Sequence, residues 1–168
     1  MKNSGRLLAA LSLGLMSLPA MAQVPPFPAA FQSRDMAANG TTLHVRVGGA
    51  GPAVVLLHGY GETGDMWAPL AAALMKDHTV VVPDLRGMGL PAHPDGGYDK
   101  ATQGRDIAAI LDQLNIDQFA LVTHDIGNMV GFALATQNPD RVTRFALLDA
   151  PVPGVGPVQP LICYEGLY

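Results

Sequence analysis

Four short apolar runs, Val54–Leu57, Thr79–Val82, Phe119–Val122 and Phe145–Leu148, constrain the fold of this chain more than any other feature. They are rich in Val, Leu and Phe and apolar at consecutive positions, where a half-exposed strand would be apolar only at alternate ones. That pattern marks strands buried on both faces. Helical stretches separate them. Ile107, Ile110, Leu111 and Leu114 fall at i, i+3, i+4 and i+7, a core-facing stripe with Arg105, Asp106 and Asp112 expected on the opposite side. Pro69 suits the first turn of a helix running to about Met75, and Asn138-Pro139 ends the helix that begins after Asp125. Strand and helix therefore alternate. This predicts an α/β fold, a mostly parallel sheet flanked by helices and joined by right-handed crossovers. Ahead of the runs, Thr42–Val47 alternates in and out, which predicts an antiparallel edge strand.

The flanks carry different information. Lys2 and Arg6, the apolar run Leu7–Leu18 and the A-x-A ending at Ala22 read as an export signal on residues 1–22, cleaved after Ala22 to give a periplasmic or secreted protein. A run of about 12 apolar residues is well short of the roughly 20 that span a bilayer, so no stable membrane anchor is expected. Residues 23–40 read as a proline-rich, extended lead-in closed by the turn Ala38-Asn39-Gly40, with the folded part expected from Thr41 to Pro157. A net charge of −4, with only 14% of residues charged, provides no basic field for nucleic acid or anionic lipid. The 49% hydrophobic content excludes a disordered chain. With one cysteine, Cys163, and five scattered histidines, neither an internal disulfide nor a metal-binding spacing is present, and no metal or other cofactor is expected.

In parallel sheets the reacting groups sit beyond the carboxyl ends of the strands. The segments directly after the runs are therefore informative: His58-Gly59-Tyr60-Gly61, then Pro83-Asp84-Leu85-Arg86-Gly87-Met88-Gly89, then His124-Asp125-Ile126-Gly127, then Asp149-Ala150-Pro151. Thr123-His124-Asp125-Ile126-Gly127 has the form small-x-nucleophile-x-small between a strand and a helix, the setting of a nucleophile elbow. Its central residue is Asp125, and no serine occurs after Ser33, so covalent chemistry here has to use a carboxylate. A carboxylate nucleophile suits attack at an sp³ carbon, giving an alkyl-enzyme ester. The backbone N–H groups of Ile126 and Tyr60 are placed to form its oxyanion hole. The plainer use of Asp125 is as a cap on the following helix; the His58-Gly59 turn at the right strand favours the nucleophile.

These motifs resemble, from about Thr41 to Pro157, the α/β-hydrolase fold, and within it the epoxide hydrolase and haloalkane dehalogenase branch. The marks are His58-Gly59 in the oxyanion loop, Asp84-Leu85-Arg86-Gly87-x-Gly89 after the next strand, and His124-Asp125-Ile126-Gly127 at the elbow. With the export signal, the pattern is similar to secreted bacterial epoxide hydrolases. The resemblance implies Asp125 as nucleophile and a small apolar epoxide or halide as substrate. It also sets Asp149 where some members carry the acid that orients a catalytic histidine, although capping its own loop is an equal use of that side chain. His58, Gly59, His124 and Gly127 are expected to organise the loops. Dehalogenases of this branch place Trp or Arg after the nucleophile; this chain has Ile126, which favours the epoxide. Asp84 and Arg86 are expected to brace their loop, and Trp67 to pack.

Two rival motifs occur. Gly59-Tyr60-Gly61-Glu62-Thr63-Gly64 is a literal G-x-G-x-x-G with Asp84 twenty residues beyond Gly64, the dinucleotide-binding pattern. That pattern requires the glycines to open a helix, whereas Pro69 places the helix start later. His124-Asp125 also matches the H-D pair of metal phosphohydrolases, which sits within all-α folds. The resemblance further implies a late histidine to activate water, a cap and more strands. No histidine occurs after His124, and Val158–Tyr168 shows no helical stripe, so these residues read as an aberrant tail on a truncated domain. An exposed apolar edge at Phe145–Leu148, marginal stability and aggregation are the expected results, and an inactive fragment with a binding role is the alternative to an enzyme.

Overall fold

The computed structural model describes residues 25–89, 93–152 and 154; the expected export signal and the tail with Cys163 lie outside the described residues. The chain opens with a hairpin of β1 (Gln32–Ala38) and β2 (Thr41–Gly48). It turns at Asn39 and Gly40, whose φ angles of 42° and 78° give the left-handed pair that such a two-residue turn needs. Next come β3 (Ala53–Leu57), α1 (Ala68–Leu74), β4 (Thr79–Pro83), α2 (Lys100–Gln113), β5 (Phe119–His124), α3 (Ile126–Gln137) and β6 (Val142–Leu148). Each of the four apolar runs lies within one of the later strands. Pro69 is in the first turn of α1, and α3 ends at the Asn138-Pro139 signal.

One sheet holds all six strands in the order β1-β2-β4-β3-β5-β6. β2 pairs antiparallel with β1 and β4, while β3 runs parallel to β4 and β5, and β5 parallel to β6. Alternation along β3 splits its side chains between two layers. Val55 and Leu57 join Ile107, Ile110 and Leu111 of α2 and Val130 and Leu134 of α3, whereas Val54 and Leu56 join Trp67 and Ala71 beside α1. Ile107, Ile110 and Leu111 are fully buried, each contributing about 1.5–3 kcal/mol of hydrophobic stabilisation.

Four expectations change. The folded unit begins at Gln32, not Thr41, because β1 occupies part of the expected lead-in. Phe27 and Phe31 of that lead-in also pack on the α1 side of the sheet. Consequently β2 is an inner strand flanked by β1 and β4, and β1 is the edge. Burial on both faces holds for β3 and β4, but β5 alternates; the exposure of most of β6 is the apolar edge expected at Phe145–Leu148. Finally, Asp106 does not face solvent: it is buried and accepts two bonds from Arg86, at 2.7 and 2.9 Å.

The topology locates a site. From β3 the chain first crosses to β4 on one side and later returns to β5 on the other. The loops after β3 and β5 therefore diverge, and a crevice opens at their carboxyl ends.

Candidate active site

Asp125 sits in that crevice, between the end of β5 and the start of α3. Its backbone, at φ 51° and ψ −120°, lies in a region that side chains rarely adopt, a strain of about 1–3 kcal/mol that raises the side chain above the sheet. The side chain makes no capping bond to α3. Gly127 lets α3 start close against β3, since a Cβ there would lie 2.7 Å from the carbonyl oxygen of His58 and 2.8 Å from that of Leu57.

The Tyr60 N–H donates to Asp125 Oδ1 at 3.0 Å. What aims it is the other end of the same peptide unit. In a trans peptide the C=O and N–H point in opposite directions, so fixing one directs the other. His58 Nδ1 donates to the Gly59 carbonyl at 2.9 Å, while its Nε2 accepts from the Leu85 N–H at 2.9 Å. These two bonds require a neutral ring protonated on Nδ1. Burial favours that form, pushing the His58 pKa below its ordinary 6.5.

The carboxyl of Asp125 is held below its ordinary pKa, chiefly by the Tyr60 N–H, with help from the Ile126 N–H and the nearby His124, against the opposing effect of partial burial. It is therefore an anion at neutral pH. Oδ1 is engaged by the backbone donor, and Oδ2 takes no part in that bond. His124 stands between two carboxylates, with Nδ1 3.1 Å from Glu62 Oε2 and Nε2 3.4 Å from Asp149 Oδ2. Asp149, at φ 67°, is largely exposed and comes directly after β6. The structure thus brings Asp125, Tyr60, Ile126, His58, Gly59, His124, Gly127 and Asp149 to one end of the sheet.

Asp84 and Arg86 brace their loop as expected. Asp84 Oδ1 accepts from Arg46 at 2.8 Å and from the Gly64 N–H at 2.7 Å. Sequence reasoning missed two residues. Glu62 Oε2 accepts from the Gly59 N–H at 2.8 Å as well as facing His124. Asn128, fully buried in α3, accepts from the Thr123 hydroxyl at 2.6 Å and donates to the carbonyls of Leu148 and Ala150, clamping both sides of Asp149. The available signal for Asn128 was an amide within the otherwise apolar stretch of α3.

Neither rival motif finds its context. α1 begins at Ala68, after a 3-10 turn over Gly64–Trp67, and no helix opens at Gly61. Two of the three fingerprint glycines already give their N–H groups to carboxylates, Gly59 to Glu62 and Gly64 to Asp84. The His124-Asp125 pair ends a strand of an α/β sheet, not a helix of an all-α fold.

A sheet with this switch point and a strained elbow at the end of β5 defines a hydrolase-type scaffold, and comparison with known proteins agrees. The sequence model of the alpha/beta hydrolase fold matches residues 52–162, and the chain belongs to that family. It is 37% identical over 117 residues to a soluble epoxide hydrolase of Corynebacterium sp. (strain C12), covering 70% of this chain and 41% of that protein. It is also 37% identical over 124 residues to a fluoroacetate dehalogenase of Burkholderia sp., covering 71% and 41%. The crystal structure of an epoxide hydrolase from Vigna radiata superposes with a TM-score of 0.71 at 33% identity, over 78% of this chain and 44% of that one. The chain spans about two fifths of the length of these curated relatives.

Proposed function

We propose that Asp125 is a carboxylate nucleophile that opens small apolar epoxides. The observation that supports this reading is the bond from the Tyr60 N–H to Asp125 Oδ1 at an elbow whose side chain does not cap its helix. Oδ2 attacks the less hindered epoxide carbon and the C–O bond of the ring breaks. The ring oxygen leaves as an alkoxide that takes a proton from solvent, and Oδ1 becomes the carbonyl oxygen of an ester, facing the N–H groups of Tyr60 and Ile126. Asp149, beyond β6, is the acid that orients a water-activating histidine in the complete reaction. No histidine occurs after His124 in these 168 residues, so an ester formed by these residues alone is expected to persist.

Ile126 favours an epoxide over a halide, because it offers no side-chain donor to a departing halide or a substrate carboxylate. Exposure of the chain to a small terminal epoxide is expected to add one equivalent of mass, and Asp125→Ala to take up none. Equal labelling of the variant would assign the chemistry elsewhere. We also propose that residues 1–22 direct export. Mass analysis of the periplasmic or secreted product should then show an amino terminus at Gln23, and an intact Met1 there would contradict it.

A further inference from the structure

We infer that Glu62 is a positioning residue for this chemistry, holding the Tyr60 donor and the Asp125 acceptor in register; the inference rests on the reading of Asp125 as nucleophile. Three observations converge. The Glu62 N–H donates to the Gly59 carbonyl at 3.3 Å, reinforcing the bond from His58 to that same oxygen. Its carboxylate oxygen Oε2 accepts from the Gly59 N–H at 2.8 Å, fixing the preceding peptide unit. The same Oε2 lies 3.1 Å from Nδ1 of His124, the residue bonded directly to Asp125 in the chain.

Gly59 is the meeting point. A Cβ at this position would stand 2.6 Å from Glu62 Oε2, 2.8 Å from His124 Nδ1 and 3.0 Å from Asp125 Cβ. Closing the turn after β3 needs only the backbone bond and one acceptor for the Gly59 N–H. The further contact with His124 adds a second tie, beside the bond from the Tyr60 N–H to Asp125 Oδ1, between the loop carrying the oxyanion donor and the one carrying the nucleophile. Donors to a developing ester oxygen act through precise placement, and a misplacement of about 1 Å can cost about 100-fold in rate. Without Glu62 the peptide unit of Tyr60 keeps its bonds to His58 and Asp125, but its loop loses the side-chain contact with His124 that fixes the two ends of the Tyr60–Asp125 bond relative to each other.

The test is the kinetics of labelling of the 168-residue chain by 1,2-epoxybutane, followed by intact mass over a range of epoxide concentrations. Glu62→Ala is expected to lower the limiting rate about 10- to 100-fold with little change in the half-saturating concentration. Glu62→Gln, which still accepts from Gly59, should recover to within about threefold of wild type. A Glu62→Ala chain labelled at the wild-type limiting rate overturns the proposal. If Glu62→Ala does not melt cooperatively, the Gly59 amide proton decides. Losing a charged acceptor in Glu62→Gln should move its signal upfield, and an unchanged signal overturns the proposal too. A wild-type chain that takes no adduct refutes the reading of Asp125 itself, and this inference with it.

Discussion

His58 ties the oxyanion loop to pH. Its ring must stay neutral to donate to Gly59 and accept from Leu85, and burial holds its folded-state pKa below the value of about 6.5 found in an unfolded chain. The unfolded chain therefore takes up the proton first. Stability from this residue is fully present above about pH 6.5 and falls as the pH drops through that value toward the folded pKa. Urea midpoints measured from pH 8 to pH 5 should decline, and His58→Gln should flatten the decline; an unaltered slope in the variant contradicts the assignment. Asp125, Tyr60 and His58 were legible in the sequence because each lies in a short motif directly after an apolar run. Asn128 was not, because the carbonyls it clamps belong to Leu148 and Ala150, twenty or more residues away, and nothing local announces them.

Among the elements, α2 shows where periodicity succeeds and where it stops. The stripe of Ile107, Ile110 and Leu111 is in the core as predicted, yet Asp106 beside it is buried with Arg86 and also accepts from Asn39. A hydrophobic stripe cannot reveal an acid that enters the interior with its own cation. Removing one partner of such a pair leaves an uncompensated buried charge at a cost of about 3–5 kcal/mol. Asp106→Ala should accordingly lower the denaturant midpoint far more than Asp112→Ala, whose ion pair with Arg141 is exposed on the Asp112 side. Equal effects would show that the Arg86 pair contributes little. β1 escaped sequence reading for a related reason. Only Met36 and Ala38 of its seven residues are buried, so Gln32–Asp35 carries no apolar signal, and its place is set by pairing with β2.

At the scale of the whole molecule, the strand order and its switch point are visible only in the structure, but the parallel sheet, and the carboxyl ends of the strands as the place of the site, came from apolar runs alternating with helices. Leu147 and Leu148 are 47% and 42% exposed on β6, the strand at one end of the sheet among the described residues, which is the exposed apolar edge expected at Phe145–Leu148. Apolar residues exposed on an edge strand favour association with other chains. Composition records which side chains favour burial, whereas burial itself depends on what packs against them. The central claim concerns a single oxygen atom at the head of this sheet, and peptide mapping tests it most directly. After exposure to 1,2-epoxybutane, tandem mass spectrometry should place one base-labile adduct on Asp125. An adduct on any other residue, or none at all, would contradict the account.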